Sequence, residues 1–338
     1  MTIDEIRTLI RSPTYDFLRT NEHLKNLAFL TLGGSYSYGT NVETSDVDIR
    51  GCALNSPSDI IGLSSFEQVI DKPTDTTIYA FNKLITLLVN CNPNVIEMLG
   101  CKPEHYLYVS PIGKQMIDHR KMFLSQRAIR SFGGYAIAQL RRLENALARD
   151  RLSQPKREDH IRQSIEGAVY SNFKDLANSL TFHIEPASHD GLEAEVCVDL
   201  SLCNYPVRDL RSLVNDIDNV VRDYERDINS RNKKKDDAHL NKHAMHLVRL
   251  YYMCIDILTL GDIKTYRTRE HELLMDIRNG HFQNEDGTFK PEFFDMVDNL
   301  QRSMDYAQKN TDLPKHPDMK KIEEFVMDVN KKVVNGDV

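Results

Sequence analysis

Asp46 and Asp48 stand two apart, and Asp46 follows the Gly33-Gly34-Ser35 run by eleven residues. In a strand-like segment the period of two puts both carboxylates on one face. Two like charges so close repel unless a cation lies between them, and hard divalent ions prefer oxygen ligands of this kind. Two Mg²⁺ ions held by shared aspartates can activate an attacking hydroxyl and neutralise a departing pyrophosphate. The Gly-Gly-Ser run ends the apolar strand-like stretch Asn26–Leu32 and opens a short helix at about Tyr36–Tyr38. Backbone N–H groups at such a turn, with the Ser35 hydroxyl, suit a chain of phosphates. Either feature alone is common: Gly-Gly-Ser occurs in plain turns, and Asp-x-Asp in pairs of solvated strand-end aspartates. Their conjunction behind a buried strand is specific.

The elements that must position these residues follow from hydrophobic patterning. Ile3–Arg11 reads as a helix, Val47–Leu54, Phe66–Ile70 and Thr76–Phe81 as strands, and Asn82–Asn90 and Asn94–Leu99 as helices parted by Asn92-Pro93. Beyond Pro111 the pattern turns helical, over Gln126–Arg149, Glu158–Leu180, Pro206–Asn229, His239–Leu260 and Phe293–Lys309. Ala194–Leu202 interrupts it with a strand-like alternation, either a small hairpin or an irregular excursion. Lys233-Lys234-Lys235 beside Asp236-Asp237 reads as an exposed loop. The fold class is α+β: a mixed-sheet domain over residues 1–115 and a helical domain over residues 116–338, the boundary falling between Leu107 and Ser125.

The chain has 338 residues with 43 Lys plus Arg against 50 Asp plus Glu, so about two domains of ordinary soluble composition are expected. No apolar run approaches a membrane span, MTIDEIRTLI lacks a signal-peptide core, and the six cysteines show neither C-x-x-C pairs nor zinc spacing. Reduced thiols and no membrane contact point to the cytoplasm (of the host, if the chain is phage-encoded). The net charge of −7 hides a gradient: residues 1–100 carry 7 basic and 12 acidic side chains, residues 101–165 carry 13 and 6, and the remainder 23 and 32. The middle is thus a basic island, able to hold phosphates locally or to serve as a solvated helix face. Walker-type loops and nucleophile elbows are missing from the sequence.

The Gly33-Gly34 and Asp46-x-Asp48 pattern resembles the signature of the DNA polymerase beta-like nucleotidyltransferase superfamily, and within it the RNA-ligase-associated, RNA-repair branch of bacteria and phages. Asp75–Leu99, Gly134–Glu144, Lys242–Arg249 and Leu273–Gly280 look like further parts of that branch, so the likeness runs from about residue 30 to 282. It implies a polymerase beta-like palm, binding of an NTP such as ATP with two Mg²⁺ ions (Mn²⁺ as a substitute), and attack of an acceptor hydroxyl on the α-phosphate with release of pyrophosphate. On this chain Gly33, Gly34 and Ser35 would hold the triphosphate, with Asp46 and Asp48 as catalytic metal ligands. The superfamily's third carboxylate would be Asp75, with Asp71 and Glu67 as rivals. Glu97 reads as orienting a helix. Arg50 shares the carboxylate face and either balances the aspartates or touches a phosphate. Tyr36 and Tyr38 either line the nucleotide pocket or pack on the sheet.

Lys242, His246 and Arg249, at i, i+4 and i+7 on an otherwise apolar helix, form a polar stripe that could reach the nucleotide or the acceptor, or could be a plain exposed face. His239, His243 and His246 share the spacing, with no third ligand to complete a metal site. In the basic island Arg130, Arg141 and Arg142 are the candidate acceptor-binding residues, their common face depending on an unbroken helix through Gly133-Gly134. The expected acceptor is an RNA 3′ end, tRNA-like, in RNA repair. Protein or small-molecule hydroxyls are the alternative acceptors, and a non-catalytic nucleotide-binding relative is the third reading.

Overall fold

The computed structural model describes residues 1–176, 179–189, 191–224 and 236–338. The front of the chain runs α1 (Ile3–Leu9), α2 (Phe17–Thr20), β1 (Leu27–Leu32), α3 (Gly34–Tyr38), β2 (Ile49–Ala53), α4 (Pro57–Ile61), β3 (Gln68–Asp71), β4 (Thr76–Ala80), α5 (Phe81–Val89), α6 (Pro93–Ile96), β5 (Tyr106–Val109) and α7 (Pro111–Asp118). The back runs α8 (Gly134–Arg151), α9 (Gln154–Asn172), β6 (Leu180–Pro186), β7 (Ala194–Leu200), α10 (Val207–Arg222), α11 (Asp237–Leu260), α12 (His271–Arg278), α13 (Pro291–Asn310) and α14 (Met319–Asn335). The α+β class expected from the sequence is the one observed.

Five strands form one mixed sheet in the order β3-β4-β2-β1-β5, with β2 and β4 parallel and the other pairs antiparallel. Strand alternation gives this sheet two faces. Leu30, Ile49, Ala53, Ile78 and Ala80 share one of them and pack with Tyr15, Leu18, Leu24 and Phe66. Phe29, Thr31, Arg50, Cys52, Thr77 and Tyr79 fall on the other by register. That second face is the one Asp48 and Asp75 extend, one residue before the paired positions Ile49 and Thr76. Helix α7 seats on β1 so closely that a Cβ at Gly113 would overlap the Ala28 carbonyl.

Two compact units divide the chain, and neither follows chain order. One comprises Met1–Ile137, Met245–Arg278 and Phe294–Val338; the other comprises Ala138–Ala244 and Asn279–Phe293. In the second unit β6 and β7 pair as an antiparallel hairpin. The hairpin packs with α9 and α10 around Ile161, Ile165, Val169, Phe182 and Leu213.

Several expected boundaries move. The helix expected over Glu158–Leu180 ends at Asn172, because Leu180 already belongs to β6 and is paired with Leu200. Residues 177–178 of that stretch, residues 225–229 of the helix expected to Asn229, and Lys233-Lys234-Lys235 lie outside the described residues. The helix expected from Gln126 carries a π turn over Ile129–Gly133 before α8 begins, as the paired glycines suggested. Neither β5 nor α14 was expected from the pattern.

Gly113→Ala should destabilise the protein by about 1–3 kcal/mol, the usual cost of forcing a methyl into a closed contact. Urea unfolding followed by circular dichroism reads this directly; an unchanged midpoint would mean that α7 can lift from β1 without cost.

Candidate active site

The strand β1 delivers the chain into Gly33, whose N–H donates to the Asp48 carbonyl at 2.8 Å. This bond extends the β1/β2 ladder by one step and fixes where Asp48 stands. Gly34 then turns with φ at +52°, and a Cβ there would overlap the Asp48 carboxylate. Only glycine meets both demands at once. The half-buried Ser35 follows in α3, and among the described residues nothing bonds its hydroxyl. The turn and the Asp48 carboxylate are therefore in contact, as a phosphate-and-cation site would require.

The sequence reading placed both aspartates inside a strand. In the structure β2 starts at Ile49, so both lie in the segment leading into it. Asp48 is held by the Gly33 bond, whereas Asp46 is exposed. On the parallel neighbour β4, Asp75 occupies the register next to Asp48, at the end of a turn closed by its N–H to the Lys72 carbonyl at 3.3 Å. Arg50 spans the two carboxylates: Nη2 lies 3.1 Å from Asp75 Oδ1 and 3.6 Å from Asp48 Oδ1. Its Nη1 donates to the Asp75 carbonyl as well. The rivals for the third carboxylate are engaged elsewhere. Asp71 caps its own turn by accepting from the Thr74 N–H at 3.2 Å and hydroxyl at 2.7 Å, and Glu67 pairs with Lys83 at 3.0 Å.

In kind, the donors suit a hard divalent cation: carboxylate oxygens only, two of them adjacent and already sharing a positive group. As they stand, no group of three or more His, Cys, Asp or Glu among the described residues is arranged to hold a metal ion. The histidine set on α11 shares this outcome: His239 Nδ1 lies 2.8 Å from Asp236, and His246 Nδ1 lies 2.8 Å from Arg249.

Behind the turn lies a buried polar cluster. The Tyr38 hydroxyl donates to Glu97 Oε2, the Arg249 guanidinium stacks 3.5 Å from the Tyr38 ring centroid, and Arg249 Nη1 donates to the same Glu97 oxygen at 3.2 Å. Arg249 is 1% exposed, so its charge is spent on Glu97 and Tyr38 rather than offered to the outside. Burial pushes the Tyr38 phenol well above its ordinary pKa, against the pull of Arg249. Burial also raises the Tyr79 phenol, with Arg50 opposing the shift and Glu97 adding to it. Thr265 Oγ1 donates to the Glu97 carbonyl at 2.6 Å and locks the acid's backbone.

The candidates thus part company. Gly33, Gly34, Ser35, Asp48, Arg50 and Asp75 come together; Tyr38, His246 and Arg249 form the adjoining cluster with Glu97. Lys242 is exposed and belongs to the second compact unit, as do Arg141 and Arg142, while the exposed Arg130 stands in the π turn of the first. Sequence reasoning missed the residues that clasp the loop after α3. Arg267 N–H donates to the Tyr38 carbonyl at 3.4 Å, His271 Nε2 lies 2.8 Å from the Gly39 carbonyl, and Arg278 Nη2 donates to Ser45 Oγ at 3.3 Å. The sequence signal for Arg278 was the family likeness of Leu273–Gly280; Arg267 and His271 lay outside it.

Residues 15–158 match the RlaP family, the RNA repair pathway DNA polymerase beta family. The resemblance carried by the Gly-Gly and Asp-x-Asp residues is thereby shown for that stretch, in a nucleotidyltransferase family associated with RNA repair. Comparison with curated proteins and with solved structures finds no match in either. No helix among the described residues is long and apolar enough to cross a membrane.

Arg249→Met should cost about 3–5 kcal/mol, because it strands a buried carboxylate. Glu97→Leu combined with Arg249→Met should recover much of that loss in a denaturant titration. A double variant weaker than the single one would show that the pair is not coupled.

Proposed function

We propose that this protein transfers NMP from an NTP to an acceptor hydroxyl, releasing pyrophosphate. The observation that carries the reading is the contact of the Asp48 carboxylate with the Gly34 turn, with Asp75 beside it on the parallel strand. The turn's N–H groups and the free Ser35 hydroxyl bind the phosphate chain and orient it past Asp48. Mg²⁺, bound through Asp46, Asp48 and Asp75, would supply charge neutralisation at the phosphates and acidify the acceptor hydroxyl. Asp75 takes the acceptor's proton, the acceptor oxygen bonds to the α-phosphorus, and the bond to the bridging oxygen of the β-phosphate breaks. Arg50 bridges the two carboxylates and balances their charge until substrate arrives. The cluster of Glu97, Tyr38 and Arg249 holds α3 rigid from behind.

The acceptor proposed is an RNA 3′ end. The RNA-repair association of the matched family and the basic balance of residues 101–165 support it. Arg130, Arg141 and Arg142 are exposed cations of that stretch and would contact RNA phosphates. The protein's net charge of −7 favours instead a protein or small-molecule hydroxyl.

Incubation with each α-labelled NTP, Mg²⁺ and a mixture of cellular RNA and protein separates these acceptors by where the label migrates. Asp46→Asn and Asp48→Asn should each lower transfer by a factor on the order of 10³ or more with the fold intact; undiminished transfer would refute the site. Joint charge reversal of Arg141 and Arg142 should reduce RNA labelling about tenfold and steepen no other step. Label on a protein band would select the second acceptor class, and no label on any acceptor would defeat the catalytic reading.

A further inference from the structure

Arg278, the last residue of α12, brings its guanidinium to the loop between α3 and β2. Its Nη2 donates there to the Ser45 hydroxyl at 3.3 Å, and Ser45 immediately precedes Asp46. Ser45 closes its own turn, its N–H donating to the Val42 carbonyl at 3.0 Å and its hydroxyl accepting from the Val42 N–H at 2.9 Å. The turn is therefore formed without help from Arg278, and one hydroxyl is a poor reason to half-bury a cation.

The other edge of the guanidinium is more telling. Arg278 Nη1 is buried and has no hydrogen-bond partner, and no carboxylate lies within ion-pair distance of the group among the described residues. Burial alone lowers its pKa, with no acid opposing the effect. Arg267 and Arg249 also have buried guanidinium nitrogens without partners, but each is matched by an acid: Arg267 by Asp256 at 2.6 Å and Glu270 at 3.6 Å, and Arg249 by Glu97. A partly desolvated charge without a counter-charge still carries a cost, so its complement is expected to come from a ligand. An arginine fork fits phosphate oxygens better than any other anion this site would receive.

We propose that Arg278 binds the triphosphate of the incoming nucleotide together with the Gly33-Gly34-Ser35 turn, an assignment that rests on the nucleotidyltransferase reading. The nucleotide then supplies the anion that the unpartnered Nη1 lacks, and α12 contributes a phosphate ligand to a site otherwise built from residues 33 to 75. Recognition would reach the phosphates rather than the base, so every NTP gains from it equally. The Ser45 contact holds the fork next to Asp46 in the meantime.

Calorimetric titration of wild type, Arg278→Ala, Arg278→Lys and Ser45→Ala with ATP, AMP and inorganic triphosphate in Mg²⁺ tests this. Arg278→Ala should weaken ATP and inorganic triphosphate about 10–100-fold and leave AMP within about twofold, as expected for loss of a charged hydrogen-bonding partner. Arg278→Lys should fall between, because it keeps the charge and loses the fork. It also carries the test should the alanine variant fail to fold, which thermal melts would reveal. Ser45→Ala should bind ATP within about threefold of wild type. Equal ATP affinity in wild type and Arg278→Ala would overturn the assignment alone. So would a Ser45→Ala loss matching that of Arg278→Ala, since the arginine would then act by holding the loop. Wild type that binds neither ATP nor inorganic triphosphate would overturn the nucleotidyltransferase reading and this inference with it.

Discussion

The site depends on one local constraint: the Gly33 N–H bonded to the Asp48 carbonyl, with the Asp48 carboxylate filling the place a Gly34 side chain would take. The bond joins two segments separated by the whole loop after α3, and it does so where β1 ends and β2 begins, in the middle of the sheet. Because β1 and β2 are neighbours in register, the turn and the carboxylate arrive together whenever the sheet forms. Because β4 runs parallel to β2, Asp75 arrives at the adjoining position in the same orientation. The sheet is thus both core and template, its apolar face packing on the N-terminal segment while the opposite face carries the acids.

The buried cluster behind this junction answers a different demand. Helix α3 has only five residues and little stability of its own, so its position must come from tertiary contacts. Tyr38, at its end, supplies both a hydroxyl for Glu97 and an aromatic face for Arg249. A buried ion pair of this sort adds little net stability, but it tolerates few alternative geometries. The loop that follows is clasped by Arg267, His271 and Arg278 from a segment far along the chain. The first compact unit therefore includes Met245–Arg278, which chain order would assign to the helical half.

Legibility followed the range of the interactions. Strand β1 was readable as a short continuous apolar run ending at the Gly33-Gly34 turn, and β2, β3 and β4 as short strand-like runs between turn signals. The β5 strand was not, since Tyr106–Val109 sits at the sheet edge, pairs on one side and is partly or fully exposed. The helix expected over Glu158–Leu180 ran too far because Phe173, Leu176 and Leu180 continue an apolar pattern that a 3₁₀ turn and a strand satisfy equally well. The polar stripe on α11 was seen correctly as a spacing but not as an environment. Lys242 is exposed and Arg249 is among the most deeply buried residues of the chain, and helical periodicity does not distinguish the two.

By itself the sequence determined the α+β class, the Gly33-Gly34-Ser35 turn, the Asp46-x-Asp48 pair and the family they resemble. Each of these rests on residue type and short spacing, which local sterics translate directly into structure. Only the tertiary structure decided which carboxylate stands beside Asp48. The family likeness favoured Asp75 over its rivals Asp71 and Glu67, but the three separate physically only when a parallel register brings Asp75 alongside while a turn and a lysine engage the others. It likewise decided that Arg249 serves the protein's interior and that Arg278 reaches the loop of Asp46. Contacts across more than two hundred residues depend on how helices pack, and no local pattern encodes that.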